Sequence, residues 1–355
     1  MSTKRIRFGL WYDFRNPPQW RRPSDRLYGE VLEQIAWAEG LGFEYVWLSE
    51  HHFLEDGYSP GLLPIAAAVA ARTRTIRIGT AVLLLPFHHP VRVAEDGAIV
   101  DVISGGRFEL GVGVGYRAEE FQGFAVPIEQ RAGRTEEGLE IVRRLWEGET
   151  VKFRGRYYEV PGVKLAPAPI QKPRPPLWVG GFTPKAAARA ASYADGYIGM
   201  GPMTPLCDAY LRALGAAGKD RANARIAGGF MWLLASRDPE RTWSEAADHV
   251  LYQINLYAEW SARTRAPLGL PPVAGREELR RTGLLKVATP EECRRLIADY
   301  LGEVPITHFY TWTLPPGLPP AWVTPHLELF AREVIPHFGE LDAGPPDRPA
   351  DGRDR

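Results

Sequence analysis

Apolar residues in this chain fall into two recurring textures: short dense runs, and longer stretches with apolar positions three or four apart. Ile6–Phe14 (IRFGLWYDF) is dense in β-branched and aromatic residues and predicts a strand. Prolines make Arg15–Ser24 a loop. Asp25–Leu41 places Leu27, Val31, Ile35 and Ala38 at helical spacing, and Gly40 and Gly42 end it. Tyr45–Ser49 predicts a strand and Pro60–Arg72 an alanine-rich helix. Thr75–Leu85 (TIRIGTAVLLL) predicts a strand whose continuous apolar run suits burial on both faces. Pro90–Ile103 follows as a helix with proline at its start, then Phe108–Gly115 as a fourth strand. The alternation resumes with Leu177–Gly181 before a helix at Pro184–Ala194, and Gly196–Met200 before one at Pro205–Ala217. Ala227–Ala235 precedes a long helix near Ser244–Trp260, and Thr307–Leu314 precedes a last helix at Ala321–Ile335.

Strands separated by helical crossovers predict a parallel sheet. About eight of them favour a closed (β/α)8 TIM barrel over an open sheet. The reading is one domain over residues 1–340, with insertions near 151–176 and 261–286. Val151–Pro176 looks extended, with a turn at Arg154-Gly155-Arg156 and a proline-rich exit, and Pro267–Lys286 looks long and irregular. Each insertion is either a lid over the site or a cover over a barrel edge. The tail over residues 341–355 is expected to be disordered.

Composition narrows the function. Lysine plus arginine number 43 and so do aspartate plus glutamate, a balance that argues against nucleic-acid or membrane partners. The longest apolar stretch, Gly61–Ala71, falls short of the ~20 residues of a membrane span. No apolar signal region follows Met1–Arg5, and a cytoplasmic location is the expectation. Cys207 and Cys293 alone make neither a disulfide framework nor a cysteine-based zinc site. Eleven tryptophans suggest an aromatic-lined pocket, with Trp11, Phe14, Trp20, Phe53, Phe87 and Tyr116 at or after strand ends.

In a barrel of this kind the active site lies at the C-terminal strand ends. There the second strand offers Glu50, His51 and His52, and the third offers His88 and His89. A histidine there serves as acid, base or hydrogen-bond donor, or it simply satisfies a loop carbonyl. Adjacent histidines on an extended chain point to opposite faces, which argues against a shared metal, so no metal is expected. The fourth strand ends Gly111-Val112-Gly113-Val114-Gly115-Tyr116, where glycines let backbone approach a flat ligand or merely pack tightly. Gly180-Gly181-Phe182-Thr183-Pro184-Lys185 leaves a strand and opens a helix. Free N–H groups and the helix dipole there suit a phosphate, with Thr183 and Lys185 assisting; the alternative is a plain N-cap by Thr183.

Four segments together resemble the bacterial luciferase-like monooxygenase superfamily: Gly42–Phe53 (GFEYVWLSEHHF), Ile76–Asp96 (IRIGTAVLLLPFHHPVRVAED), Ser104–Tyr116 (SGGRFELGVGVGY) and Pro176–Gly181 (PLWVGG). The resemblance runs from Ile6 to about Gly201, and more weakly to His337. It implies a (β/α)8 barrel that binds a flavin or deazaflavin phosphate. It implies His51 as the catalytic histidine near the ring, with His52 and Glu50 in support, and Gly180 to Lys185 as the phosphate loop. It also implies a non-proline cis peptide at Ala81–Val82, bulging under the flavin. The sequence departs from luciferase itself, which has a cysteine and a phosphate-binding arginine where Gly113 and Val114 stand. That speaks against light emission and leaves Arg117 and Lys185 as candidate cations.

The expected function is a two-component monooxygenase. It would use reduced FMN and O2 on a small organic substrate, fed by a separate NAD(P)H-dependent flavin reductase, and act as a homodimer. The alternatives are a reductase or dehydrogenase that transfers hydride with the deazaflavin coenzyme F420, and a non-catalytic flavin-binding barrel. Basic residues for the polyglutamyl tail of F420 would come from Arg154, Arg156, Lys172 and Arg174.

Overall fold

The computed structural model describes residues 5–263 and 270–339. Eight parallel strands close into a barrel: β1 Arg7–Tyr12, β2 Tyr45–Leu48, β3 Arg77–Thr80, β4 Phe108–Gly113, β5 Leu177–Gly181, β6 Gly196–Gly199, β7 Arg225–Gly229 and β8 His308–Trp312. Each pairs with its neighbours in chain order, and β8 returns to β1 with Arg7 opposite His308 and Trp11 opposite Trp312. This is the (β/α)8 architecture expected from the alternation. The third strand is shorter than its apolar run. The peptide joining Ala81 and Val82 is cis, where the resemblance places it, and pairing resumes with Leu83 and Leu84 against Val112 and Gly113.

Two strands need glycine because the barrel interior is filled by large rings. A β-carbon on Gly79 would overlap the indole of Trp47, and one on Gly196 would overlap that of Trp178. Trp47 and Trp178 are fully buried and meet edge to face, 5.5 Å between ring centres. Beneath them, at the N-terminal strand ends, lies the fully buried Glu109. It accepts hydrogen bonds from Arg77 Nε at 2.5 Å, Trp178 Nε1 at 2.5 Å and Arg225 Nη2 at 3.2 Å. Burial works against its charge, but Arg77 and Arg225 outweigh it and lower the carboxyl to about 2. His308 stands edge-on to Tyr45 and Trp178, and its burial lowers it to about 3.

Several elements were not read in the sequence, or were read differently. Arg131–Trp146 and Pro290–Glu303 are full helices. The second carries a capping box, Thr289 with Glu292, that is visible in the sequence. The run read as one strand over Ala227–Ala235 is two. Arg225–Gly229 stays in the barrel, while Trp232–Ala235 leaves it to pair with Leu285–Ala288. Gly229 is the last barrel residue of this run, paired with Tyr310 so closely that a β-carbon there would collide with the Tyr310 backbone.

The first insertion holds an antiparallel hairpin, Val151–Arg154 with Glu159–Val163. Glu137 accepts from the N–H groups of Arg156, Tyr157 and Tyr158, and Asp101 accepts from those of Ile170 and Gln171. The second insertion is not irregular throughout: Arg276–Thr282 is helical and tied to the long helix Pro239–Arg263 by Arg276–Asp248 and Arg280–Glu240 pairs. Residues 264–269 and the tail over 341–355 lie outside the described residues. Among the described residues no helix is long and apolar enough to cross a membrane.

The Glu109 carboxyl sits below its ordinary value of 4.5 when folded. Its ionised form therefore stabilises the fold fully above pH ~4.5, on the order of 3 kcal/mol, and that contribution drains away as pH falls toward 2. Glu109→Gln should lower the thermal midpoint most above pH ~5, with the gap to wild type narrowing steadily in acid. A gap that stays constant with pH would show that Glu109 does not stabilise through its charge.

Candidate active site

Where the interior rings end, toward the C-terminal strand ends, the barrel opens into a cavity of about 700 Å³. Its floor is Val82. A β-carbon on Gly113 or Gly180 would collide with the Val82 methyls, so glycine at both positions lets the floor side chain seat between β4 and β5. Gly115 and Tyr116 line one wall, with Ala81 and Gly181 beside the floor. All these residues come together as read from the sequence.

His51 also lines the cavity, and His52, next in the chain, does not. The two rings leave the extended end of β2 on opposite sides. Phe53, with φ of 57°, then turns the chain. His52 Nε2 meets Glu50 Oε1 at 2.5 Å, and its ring lies against Phe87 and Phe124. His88 Nε2 reaches the same Glu50 oxygen at 3.3 Å, and the Leu84 N–H donates to the other at 3.1 Å. Burial alone would raise Glu50, but the two histidines outweigh it and hold the carboxyl below its ordinary value. Glu50, in the cavity wall, and His52, behind it, thus brace the second and third strand ends. His89 packs its ring against Tyr158 instead.

The partner of His51 is a residue the sequence reading did not single out. Glu120, on the short helix Ala118–Gly123, is fully buried and accepts from His51 Nδ1 at 2.8 Å. The same oxygen accepts from the His52 N–H at 2.9 Å and from Arg117 Nη1 at 3.0 Å. These donors outweigh burial and hold the Glu120 carboxyl below its ordinary value. An ionised Glu120 fixes the His51 proton on Nδ1 and leaves Nε2 facing the cavity, 3.2 Å from the Tyr116 hydroxyl. Rings of Tyr58, Tyr116 and Trp260 surround the imidazole at 4.8–5.5 Å.

Arg117 is therefore spent. It is buried, donates to the His52 carbonyl and to Glu120, and lies over the Trp260 ring, so it is not the phosphate cation considered for it. The basic end of the cavity is elsewhere. Gly180, Phe182, Thr183 and Lys185 line it as read, joined by Arg131 and Arg189, which the sequence reading missed. Arg189 stands one turn beyond Lys185 on the helix Pro184–Tyr193, a spacing the sequence does display. Thr183 caps that helix by accepting from the Ala186 N–H at 3.2 Å, and its own O–H remains to donate. Capping and phosphate binding are thus compatible at this residue. Of the six aromatics considered for the pocket, Trp11 and Tyr116 line it. Phe14 packs on Tyr28, Trp20 on His249 and Phe87 on Phe121, while Phe53 is 62% exposed. Neither the hairpin insertion nor its proline-rich exit lines the cavity. Among the described residues no group of three or more histidine, cysteine or carboxylate side chains is placed to hold a metal.

The profile of the family described as luciferase-like monooxygenase matches residues 6–307. The chain belongs to the luciferase-like monooxygenase family. It is 31% identical over 183 residues to the oxygenase component of flavin-dependent trigonelline monooxygenase from Acinetobacter baylyi, covering 51% of this chain and 50% of that one. It is 36% identical over 185 residues to F420-dependent glucose-6-phosphate dehydrogenase from Microbacterium testaceum, covering 50% and 54%. The match spans about half to two thirds of the length of the first curated relatives. The crystal structure of monooxygenase RslO1 from Streptomyces bottropensis superposes with a TM-score of 0.79 at 27% identity, over 94% of this chain and all of that one. The relatives of this chain thus include a flavin-dependent monooxygenase component and an F420-dependent dehydrogenase.

Glu120→Ala would leave the buried Arg117 without its carboxylate and His51 without its anchor. The expected loss is about 3–5 kcal/mol of stability, read from denaturant midpoints at neutral pH. A loss below ~1 kcal/mol would mean that Arg117 finds water or another acceptor.

Proposed function

We propose that this protein is the oxygenase half of a two-component monooxygenase. Reduced FMN would bind with its phosphate at Lys185, Arg189 and Arg131 and its ring over Val82. The observation that carries this reading is the division of the cavity into a short basic end, a flat floor and a histidine-bearing aromatic end. The donor set fits one phosphate: Lys185 forms no ion pair among the described residues, the Thr183 hydroxyl retains its proton, and Arg189 is held in place through its Nε by Glu136 at 2.9 Å. Bound reduced FMN supplies the electrons that activate O2.

The chain's own residues hold the ring, exclude water with their aromatic walls, and present His51 Nε2 at the reacting face. Glu120 keeps that nitrogen in the accepting tautomer, able to take a proton there and return it. A separate NAD(P)H-dependent reductase would supply the reduced flavin, in keeping with the relative named as an oxygenase component. We also propose a homodimer, one barrel unit through residue 340, and a cytoplasmic location.

The second reading, hydride transfer with F420, is favoured by the similarity to an F420-dependent dehydrogenase. Against it stand the basic residues considered for the F420 tail. Arg174 pairs with Asp195 and Glu147, Arg154 pairs with Glu159, and none of Arg154, Arg156, Lys172 and Arg174 lines the cavity.

Anaerobic titration with reduced FMN and reduced F420, followed by rapid mixing with O2, separates the two. The proposal expects tighter binding of FMN and slower reoxidation of bound than of free flavin. Preference for F420 without an oxygen reaction would overturn it. Lys185→Ala combined with Arg189→Ala should weaken FMN at least tenfold while leaving riboflavin nearly unchanged; equal weakening would place the phosphate elsewhere. His51→Ala should keep flavin affinity and lower turnover about a hundredfold. Unchanged turnover would remove His51 from the chemistry.

A further inference from the structure

His51 Nε2 has one hydrogen-bond partner among the described residues, the Tyr116 hydroxyl at 3.2 Å. The direction of that bond is set from behind. Ionised Glu120 accepts from Nδ1, so Nε2 of the neutral ring carries only a lone pair and Tyr116 is the donor. The lone pair is therefore engaged, and a ligand reaches it by way of Tyr116. A phenolic oxygen accepts as well as donates, and His51 is the only hydrogen-bond partner of this one among the described residues. Tyr116 also stands between the two ends of the cavity it lines. Its ring meets His51 on one side and Phe182 of the loop before the basic helix on the other, at 5.5 and 6.1 Å between ring centres.

This bond can reverse. A proton that lands on the Tyr116 oxygen lets the phenol pass its own proton to Nε2, after which Nε2–H donates and the phenol accepts. One O–H or N–H bond of the ligand breaks, one O–H bond of Tyr116 is exchanged for another, and one N–H bond forms on His51. The imidazolium so formed keeps the Glu120 carboxylate at 2.8 Å on its far side, now in a charge-assisted bond. Tyr116 itself does not hold the charge. Burial first, then Tyr257 and Glu120, raise its hydroxyl well above the ordinary phenol range, so the proton passes through it and rests on His51. Also packed round the pair are the phenols of Tyr58 and Tyr257, both raised by burial, and the guanidiniums of Arg117 and Arg15, the latter with Asp13 and Asp56 behind it.

We infer that Tyr116 is the catalytic residue that takes a proton from the bound ligand, with His51 as the base that stores it and Glu120 as the positioning residue behind both. This rests on the reading that the cavity holds the reacting flavin and substrate. Tyr116 and His51 then act in series, so the loss of either breaks the same path.

Nuclear magnetic resonance of the full chain without flavin, with isotope-labelled histidine and tyrosine, reads the bond directly. As His51 Nε2 titrates, Tyr116 Cζ should shift with the same midpoint, because its hydroxyl turns from donor to acceptor. In His51→Gln that Tyr116 transition should vanish, and in Tyr116→Phe the Nε2 resonance should move toward that of an unbonded acceptor. Rapid mixing of the reduced-FMN complex with O2 then reads the path. Two ring N–H bonds break and two O–H bonds form as reduced FMN and O2 become FMN and H2O2. Tyr116→Phe and His51→Gln should each slow this about a hundredfold, and the double variant no further. A Tyr116 resonance that does not follow His51, a Tyr116→Phe rate equal to wild type, or a double variant slowed by the product of the two losses would each overturn the inference. The resonance measurements use no flavin, so their failure is separate from any failure of the flavin titrations.

Discussion

Filling the inside of a closed eight-strand barrel is the constraint on which the rest of this structure depends. Strands in a barrel this small bring their inward side chains into one narrow column, and that column must be packed to crystal-like density. This chain meets the requirement by setting very large residues against none at all. Trp47 and Trp178 occupy the middle layer because Gly79 and Gly196 vacate the space opposite them. The same device appears at Val82, seated against Gly113 and Gly180. Val82 and these glycines line the cavity, with the rings of Trp11 and Trp312 in its wall.

Charge is handled separately at the two ends. Below the indoles Glu109 is surrounded by donors from β3, β5 and β7, so a single carboxylate ties several strands together. Above, Glu50 and Glu120 do the same for strand-end loops, and each collects donors from segments far apart in sequence. Burying a carboxylate is costly unless every donor is in place, so these groups make the arrangement of their neighbours close to all-or-none.

Much of this was legible in the sequence because it is local. A strand's apolar run and the glycines after it appear within a dozen residues, and so does the helix that opens after Gly181. The histidine that enters the cavity followed from position at a strand end and from family resemblance. The partner of that histidine was not legible. Glu120 lies 69 residues from His51 and reads as one acidic residue on a polar helix. Arg117 illustrates the same limit, since its charge suggested a phosphate and only the fold shows it already paired. The aromatic wall was half visible. Trp11 and Tyr116 sit at strand ends, whereas Tyr257 arrives on the long helix from beyond β7, which no local pattern announces. The divided strand near Gly229 failed for the opposite reason, because its apolar run is continuous while its neighbours are not.

Three donors converging on one Glu120 oxygen also set how this site is free to change. The loop after β2 and the segment after β4 are knotted at a single atom, so a substitution there disturbs the imidazole, the neighbouring amide and Arg117 together. The facing half, built from the ends of β1 and β8 and from the long helix, meets His51 through the rings of Tyr257 and Trp260. One side of the mouth thus holds the imidazole through a shared carboxylate oxygen, and the other holds it through ring faces.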